Sequence, residues 1–186
     1  MKKLLTFLAV VTLCLALGGI ARANLVVNGG FETGDFTGWT LSGNTGDTFV
    51  SGSPYNFSGS YGAQLGPVGS DGYLSQTLPT TAGTIYFVSF WLENEGGPLN
   101  SFTTYWGGTD VGPDLVNSNA FPWTYFSGYV SAPTNSTVLE FAYFQNSSYW
   151  GLDDVNVSST IPLPGAVWLL GSGLVGLLGL RRFRKG

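Results

Sequence analysis

Ile85-Tyr86-Phe87-Val88-Ser89-Phe90-Trp91-Leu92 is the stretch whose reading decides the fold. At a period of two, Ile85, Phe87 and Trp91 fall on one face and Tyr86, Val88, Phe90 and Leu92 on the other, so both faces are apolar. An apolar run this short, rich in aromatic and β-branched residues and closed by Asn94-Glu95-Gly96-Gly97-Pro98, reads as a central β-strand. Around it, short apolar or alternating runs recur from Asn24 to Thr160, separated by Gly, Asn, Asp, Ser and Pro, and helical periodicity is absent. The predicted strands are Leu25–Val27, Trp39–Ser42, Thr48–Ser51, Ala63–Leu65, Tyr73–Leu78, Ile85–Glu93, Ser101–Trp106, Thr124–Ser131, Val138–Phe144 and Gly151–Val157. Asp71-Gly72 suits a tight hairpin turn, and Asn94–Asn100 and Gly107–Phe121 read as loops. Regular short strands with turn signals between them predict an all-β sandwich or barrel.

The two ends read differently. Lys2 and Lys3 precede an apolar run from Leu4 to Ile20, and Ala21-Arg22-Ala23 is a small-x-small cleavage site. Residues 1–23 are therefore predicted to be a secretory signal peptide cleaved before Asn24, the alternative being a retained membrane helix. At the other end, Ile161-Pro162-Leu163-Pro164-Gly165 leads into the uncharged run Ala166–Leu180 and then Arg181-Arg182-Phe183-Arg184-Lys185. Counted from Ile161 the apolar stretch just reaches the length needed to cross a bilayer, and it has no polar face beyond Ser172. Prolines are tolerated where a helix begins, and the basic cluster would hold its end on the cytoplasmic side. The expectation is a single C-terminal transmembrane helix at about 165–180 with a basic tail at 181–185, leaving residues 24–160 outside as one β domain.

Charge follows the same division. All seven Lys and Arg residues lie in the end segments, and all eleven Asp and Glu residues lie between Glu32 and Asp154. Residues 24–160 thus carry a net charge of 0 − 11 = −11, with no histidine, and the only cysteine is Cys14. This excludes nucleic acid as a partner, because no Lys or Arg can displace its counterions. It excludes zinc or copper sites, Ser-His-Asp and Cys-His nucleophiles, and lysine-dependent phosphate cradles. No disulfide can form in the mature domain.

The tail Pro162-Leu163-Pro164-Gly165-Ala166-Val167-Trp168-Leu169-Leu170-Gly171-Ser172-Gly173-Leu174, followed by Arg181, Arg182, Arg184 and Lys185, resembles a PEP-CTERM sorting signal. That signal marks exopolysaccharide-associated bacterial proteins processed by exosortases; its usual Pro-Glu-Pro is Pro-Leu-Pro here. The body resembles the galactose-binding-like jelly roll of family 4/9 carbohydrate-binding modules. The residues carrying this second resemblance are Asn28-Gly29-Gly30-Phe31-Glu32 with Gly38-Trp39, Ser58–Gly66, Tyr73–Leu78, Thr84–Leu92, Trp123–Gly128 and Leu152-Asp153-Asp154-Val155-Asn156-Val157. The two resemblances imply a jelly-roll β-sandwich exported to the cell surface or extracellular matrix, held briefly in the inner membrane by its C-terminal helix. They imply a non-enzymatic, carbohydrate-binding role, with an exosortase-type enzyme and extracellular polysaccharide as partners. The competing readings are a structural matrix protein without specific glycan binding and a glycoside hydrolase. For the last, the candidate carboxylates are Glu93 and Glu95, two apart on one strand face at the edge of a Gly-Gly-Pro loop.

Asp153 and Asp154, adjacent on a predicted strand, should point to opposite faces, so one should be buried. A buried carboxylate with no cation to pair with needs backbone N–H donors, a proton or a bound metal, and calcium suits an oxygen-only donor set best. By resemblance, Glu32 and Asp153 are the expected ligands, with Asp154 in reserve and backbone carbonyls completing the shell. Sugar recognition commonly uses flat aromatic faces with polar partners. Trp39, Trp91 and Trp123 read as core; Tyr55, Phe57, Trp106, Tyr149 and Trp150 read as core or as a ligand surface, with Asn100, Gln145 and Asn146 as polar partners.

Overall fold

The computed structural model describes residues 23–160. The proposed signal peptide, transmembrane helix and sorting residues Pro162, Leu163, Pro164, Gly165, Arg181, Arg182, Arg184 and Lys185 lie outside the described residues. Eleven strands follow in chain order: β1 (Thr40–Gly43), β2 (Thr48–Ser51), β3 (Gly62–Leu65), β4 (Gly72–Pro79), β5 (Ile85–Asn94), β6 (Asn100–Trp106), β7 (Thr109–Asp110), β8 (Leu115–Val116), β9 (Phe121–Ser131), β10 (Ser136–Gln145) and β11 (Trp150–Ser159). They form two antiparallel sheets. One has the order β1-β4-β10-β6-β7, with β8 also on β6, and the other β2-β3-β11-β5-β9. Consecutive strands repeatedly change sheet, so this is a sandwich with crossovers.

The alternation in each strand sets which residues meet between the sheets. Leu74 and Leu78 of β4, Leu139, Phe141 and Tyr143 of β10, and Phe102 and Trp106 of β6 face Val88, Phe90 and Leu92 of β5 and Trp150, Leu152, Val155 and Val157 of β11. These side chains are at most 5 % exposed. Burying one such side chain contributes roughly 1.5–3 kcal/mol.

The sequence places β2 at its observed bounds and eight of the other strands within a few residues. Three expectations need correction. Leu25–Val27 forms no strand: Leu25 donates to the Val157 carbonyl, and the chain then turns at Asn28, whose φ is 54°. Asp71-Gly72 makes no hairpin turn, because the chain there passes from β3 in one sheet to β4 in the other. The segment read as a loop at Gly107–Phe121 contains the two short strands β7 and β8 on β6. Among the described residues no helix is long and apolar enough to cross a membrane.

Candidate functional site

The site is built on the outer face of the β2-β3-β11-β5-β9 sheet. Trp91 pairs with Asp153 on one side and with Tyr125 on the other. Because Leu92 and Phe90 point into the sandwich, Trp91 points away from it. A register shift between Leu92 and Asn94 sets Trp123 near Glu93 on the same face. Phe57, carried by the loop between β2 and β3, lies flat on Trp91, with ring centroids 3.7 Å apart and an interplanar angle of 14°. Trp123 approaches Phe57 at 5.9 Å and Tyr125 approaches Trp91 at 5.3 Å. Further along the same strands Phe87 meets Tyr129 at 5.2 Å. The result is a band of aromatic rings, open at Phe57, Tyr125 and Tyr129, which are 40 %, 48 % and 69 % exposed.

A β-bulge anchors that loop. The β11–β5 register shifts between Asp153 and Asn156, so Asp154 and Val155 together oppose one residue of β5. Asp154 adopts a left-handed φ of 51°, a conformation that Asp tolerates better than most residues. The bulge corrects the expectation that adjacent aspartates point to opposite faces: both turn to the β2–β3 loop. Asp153 Oδ2 accepts from the Phe57 and Ser58 amides at 2.8 and 3.0 Å. Asp153 Oδ1 accepts from the Asp154 amide, and Asp154 Oδ1 accepts from the Ser58 hydroxyl. Glu32 takes the next stretch of the loop, accepting from the Ser60 and Tyr61 amides. Gly29 makes the bulge possible, since a side chain there would collide with the Val155 carbonyl. Asp153 is fully buried under the loop, and burial pushes its pKa up to about 6 against the opposing pull of its amide donors.

Glu32, Asp153 and Asp154 surround Gly30: a side chain starting there would meet Asp154 Oδ1 at 3.5 Å, Asp153 Oδ1 at 3.7 Å and the Glu32 Cγ at 3.8 Å. Oxygen-only donors with no cation nearby fit a hard divalent ion in chemistry. Among the described residues no three acidic side chains form a metal cluster by themselves, and main-chain amides already occupy part of these carboxylates. Both Glu32 oxygens accept from the Ser60 and Tyr61 amides and only its Cγ approaches Gly30, so an ion at this position would draw on Asp153 and Asp154 rather than on the expected pair Glu32 and Asp153.

A second acidic pair stands at the end of β5. Tyr55 donates its hydroxyl to Glu95 at 2.9 Å, and the Tyr149 amide donates to the other Glu95 oxygen at 3.2 Å. The Tyr55 and Tyr149 rings meet edge to face at 5.6 Å. Glu93 lies over Gly151, where a side chain would strike both Glu93 and Trp123. Burial first, and then the charge of Glu95, raises the Glu93 pKa to about 7.

The sequence-predicted residues divide accordingly. Phe57 is on the aromatic band, and Tyr55 and Tyr149 are beside it. Trp106 and Trp150 are corrected to core: they are 3 % and 0 % exposed and donate their indole N–H to the Ser131 and Phe144 carbonyls. Asn100 and Gln145 are likewise buried, Asn100 binding the Gly97 and Ser118 carbonyls and Gln145 binding Asn94. Trp39 is core as expected, but Trp91 and Trp123 are not; with Tyr125 they make the band that the sequence reading missed. The alternation in Phe121–Ser131 carried that signal, since Trp123, Tyr125 and Tyr129 share one face opposite Phe126 and Val130.

No protein-family model and no curated protein matches the sequence. Solved structures do. A family 61 carbohydrate-binding module in complex with β-1,4-galactotriose matches with a TM-score of 0.57 at 22% identity, over 74% of this chain and 99% of that one. The fold resembles that of carbohydrate-binding modules. A xylan-binding family 22 module from Paenibacillus barcinonensis Xyn10C matches with a TM-score of 0.55 at 18% identity, over 78% of this chain and all of that one. The enzymatically active domain of bacteriophage CBA120 tailspike protein 4 also matches, at a TM-score of 0.53 and 16% identity, over 73% of this chain and only 21% of that one. The fold is thus shared with binding modules and with a part of a chain described as an enzymatically active domain.

Proposed function

We propose that this chain is an exported, non-enzymatic carbohydrate-binding protein of the cell surface or exopolysaccharide matrix. The observation that carries the reading is the aromatic band of Phe57, Trp91, Trp123 and Tyr125 on an outer sheet face. Flat rings of this kind stack on the apolar faces of pyranose rings, and Glu93 and Glu95 at the band's end supply hydrogen-bonding partners for hydroxyls. The net charge of −11 favours neutral sugars, or anionic polymer bridged by calcium, over direct contact with uronates. Carbohydrate-binding modules among the structural matches support the same class of ligand. The test is a glycan array probed with the full-length chain and with Trp91→Ala. Saturable binding of a neutral glycan, weakened at least about tenfold by the substitution, supports the proposal. Equal signals from both proteins, or none, overturn it in favour of a matrix protein without specific glycan binding.

The proposal extends to the ends of the chain: secretion with cleavage before Asn24, transient anchoring through the C-terminal helix, and processing of the PEP-CTERM-like tail. Mass spectrometry of the secreted protein tests this directly, because it reports both termini. It also includes calcium beside Asp153 and Asp154, where the ion would supply the positive charge that residues 24–160 lack. A rise in melting temperature with calcium, absent in Asp154→Asn, supports that part; no rise in the wild type rules it out.

A further inference from the structure

A cavity of about 250 Å³ opens at the opposite edge of the sandwich from β2, between strand β9 and the turn after β7. Its walls are Val88 and Phe90 of β5, Phe126 and Val130 of β9, and Pro113. It exists because the inward positions here are small. Gly128 pairs with Val88, so a side chain on it would point the same way, and nothing lies within 4 Å of where that side chain would begin. Across from it, Thr104 of β6 is the one inward residue of that strand's middle that is neither large nor amide-bearing. Among the described residues no charged side chain lines the space.

Thr104 supplies the second observation. It is 1 % exposed, it lines the cavity, and its hydroxyl has no hydrogen-bond partner among the described residues. A buried hydroxyl left unpaired costs about 1–3 kcal/mol, so such groups are normally satisfied. Apolar cavities of about 150 Å³ are large enough to take up benzene. We propose that this edge cavity is a second binding site, separate from the aromatic band, for a small uncharged molecule with an apolar body and one hydrogen-bonding oxygen that pairs with Thr104. The walls exclude charge, the volume admits a ring or short branched chain, and the hydroxyl fixes where the oxygen must sit. An ester- or hydroxyl-bearing substituent has this chemistry, whether free or attached to a polymer.

The test uses the full-length chain with benzyl alcohol and toluene as probes, read by saturation-transfer NMR and by the chemical shifts of the valine methyl groups. Benzyl alcohol is expected to bind the wild type more tightly than toluene. Thr104→Val keeps the shape and should weaken benzyl alcohol about fivefold while leaving toluene unchanged. Gly128→Leu fills the space and should abolish both, with glycan binding at the aromatic band intact. Absence of binding in the wild type, binding that survives Gly128→Leu, or equal benzyl alcohol affinity in wild type and Thr104→Val would each overturn the proposal. Thr104→Val is nearly isosteric, so it decides the matter even if Gly128→Leu fails to fold.

Discussion

Asp153 shows how one side chain can organise a surface in a domain without cations. Its carboxylate gathers two amides of the β2–β3 loop and one of its own strand, and so fixes Phe57 over Trp91. Replacing it with Ala leaves those buried donors unpaired, and we expect a loss of about 2–3 kcal/mol in chemical denaturation at pH 7. The same substitution should weaken glycan binding, because Phe57 loses its tether; a variant that keeps full stability would contradict this account of the loop. Glu93 makes a different prediction. Its folded-state pKa of about 7 lies above the ordinary value of 4.5. The native state therefore holds the proton more tightly than the unfolded chain between those values. The stability this group contributes is fully present below about pH 4.5 and is lost as pH rises through about 7. Melting temperatures should fall across that window, and Glu93→Gln should fall less. The Asp153-Asp154 pair was legible in the sequence as the place of a buried carboxylate, whereas the burial of Glu93 was not, since it depends on Trp123 and Gly151 arriving from two other strands.

Among the elements, β5 has the largest influence, because it pairs with both β11 and β9 and supplies both the core and the aromatic band. Leu92 is fully buried on its inner side, and Leu92→Ala should cost about 2–5 kcal/mol without altering the denaturant m-value. The strand's position was legible because eight consecutive residues suit a pleated, enclosed environment. Which face would remain open was not legible, since Phe87 and Trp91 are as apolar as Val88 and Phe90. The cover on the outer face is a loop from β2–β3, distant in sequence. The bulge in β11 was invisible for a similar reason: Leu152-Asp153-Asp154-Val155 reads as plain alternation, and only the docking of Gly29 against Val155 reveals the extra residue. Trp106 and Trp150 were ambiguous because each stands at a strand end beside glycine-rich or polar loops; their indole N–H groups find carbonyl partners there, and that allows them full burial.

At the scale of the whole molecule, the separation of charge is the dominant property. Residues 24–160 hold eleven acids and no base, so their mutual repulsion opposes compaction. Raising the ionic strength from about 10 mM to about 150 mM shortens the Debye length from about 30 to about 8 Å. The melting temperature should rise accordingly, and a flat response would show that the amide-held carboxylates carry most of the charge burden. The start of the domain is joined to its finish: Asn24 accepts from the Val157 amide and donates to the Val155 carbonyl, and Leu25 donates to the Val157 carbonyl. Thr160 follows only three residues after Val157, about 10 Å of chain at most. A circularly permuted gene that links Thr160 to Asn24 through a short spacer and opens the chain at the exposed turn Gly107-Gly108 should therefore yield the same sandwich.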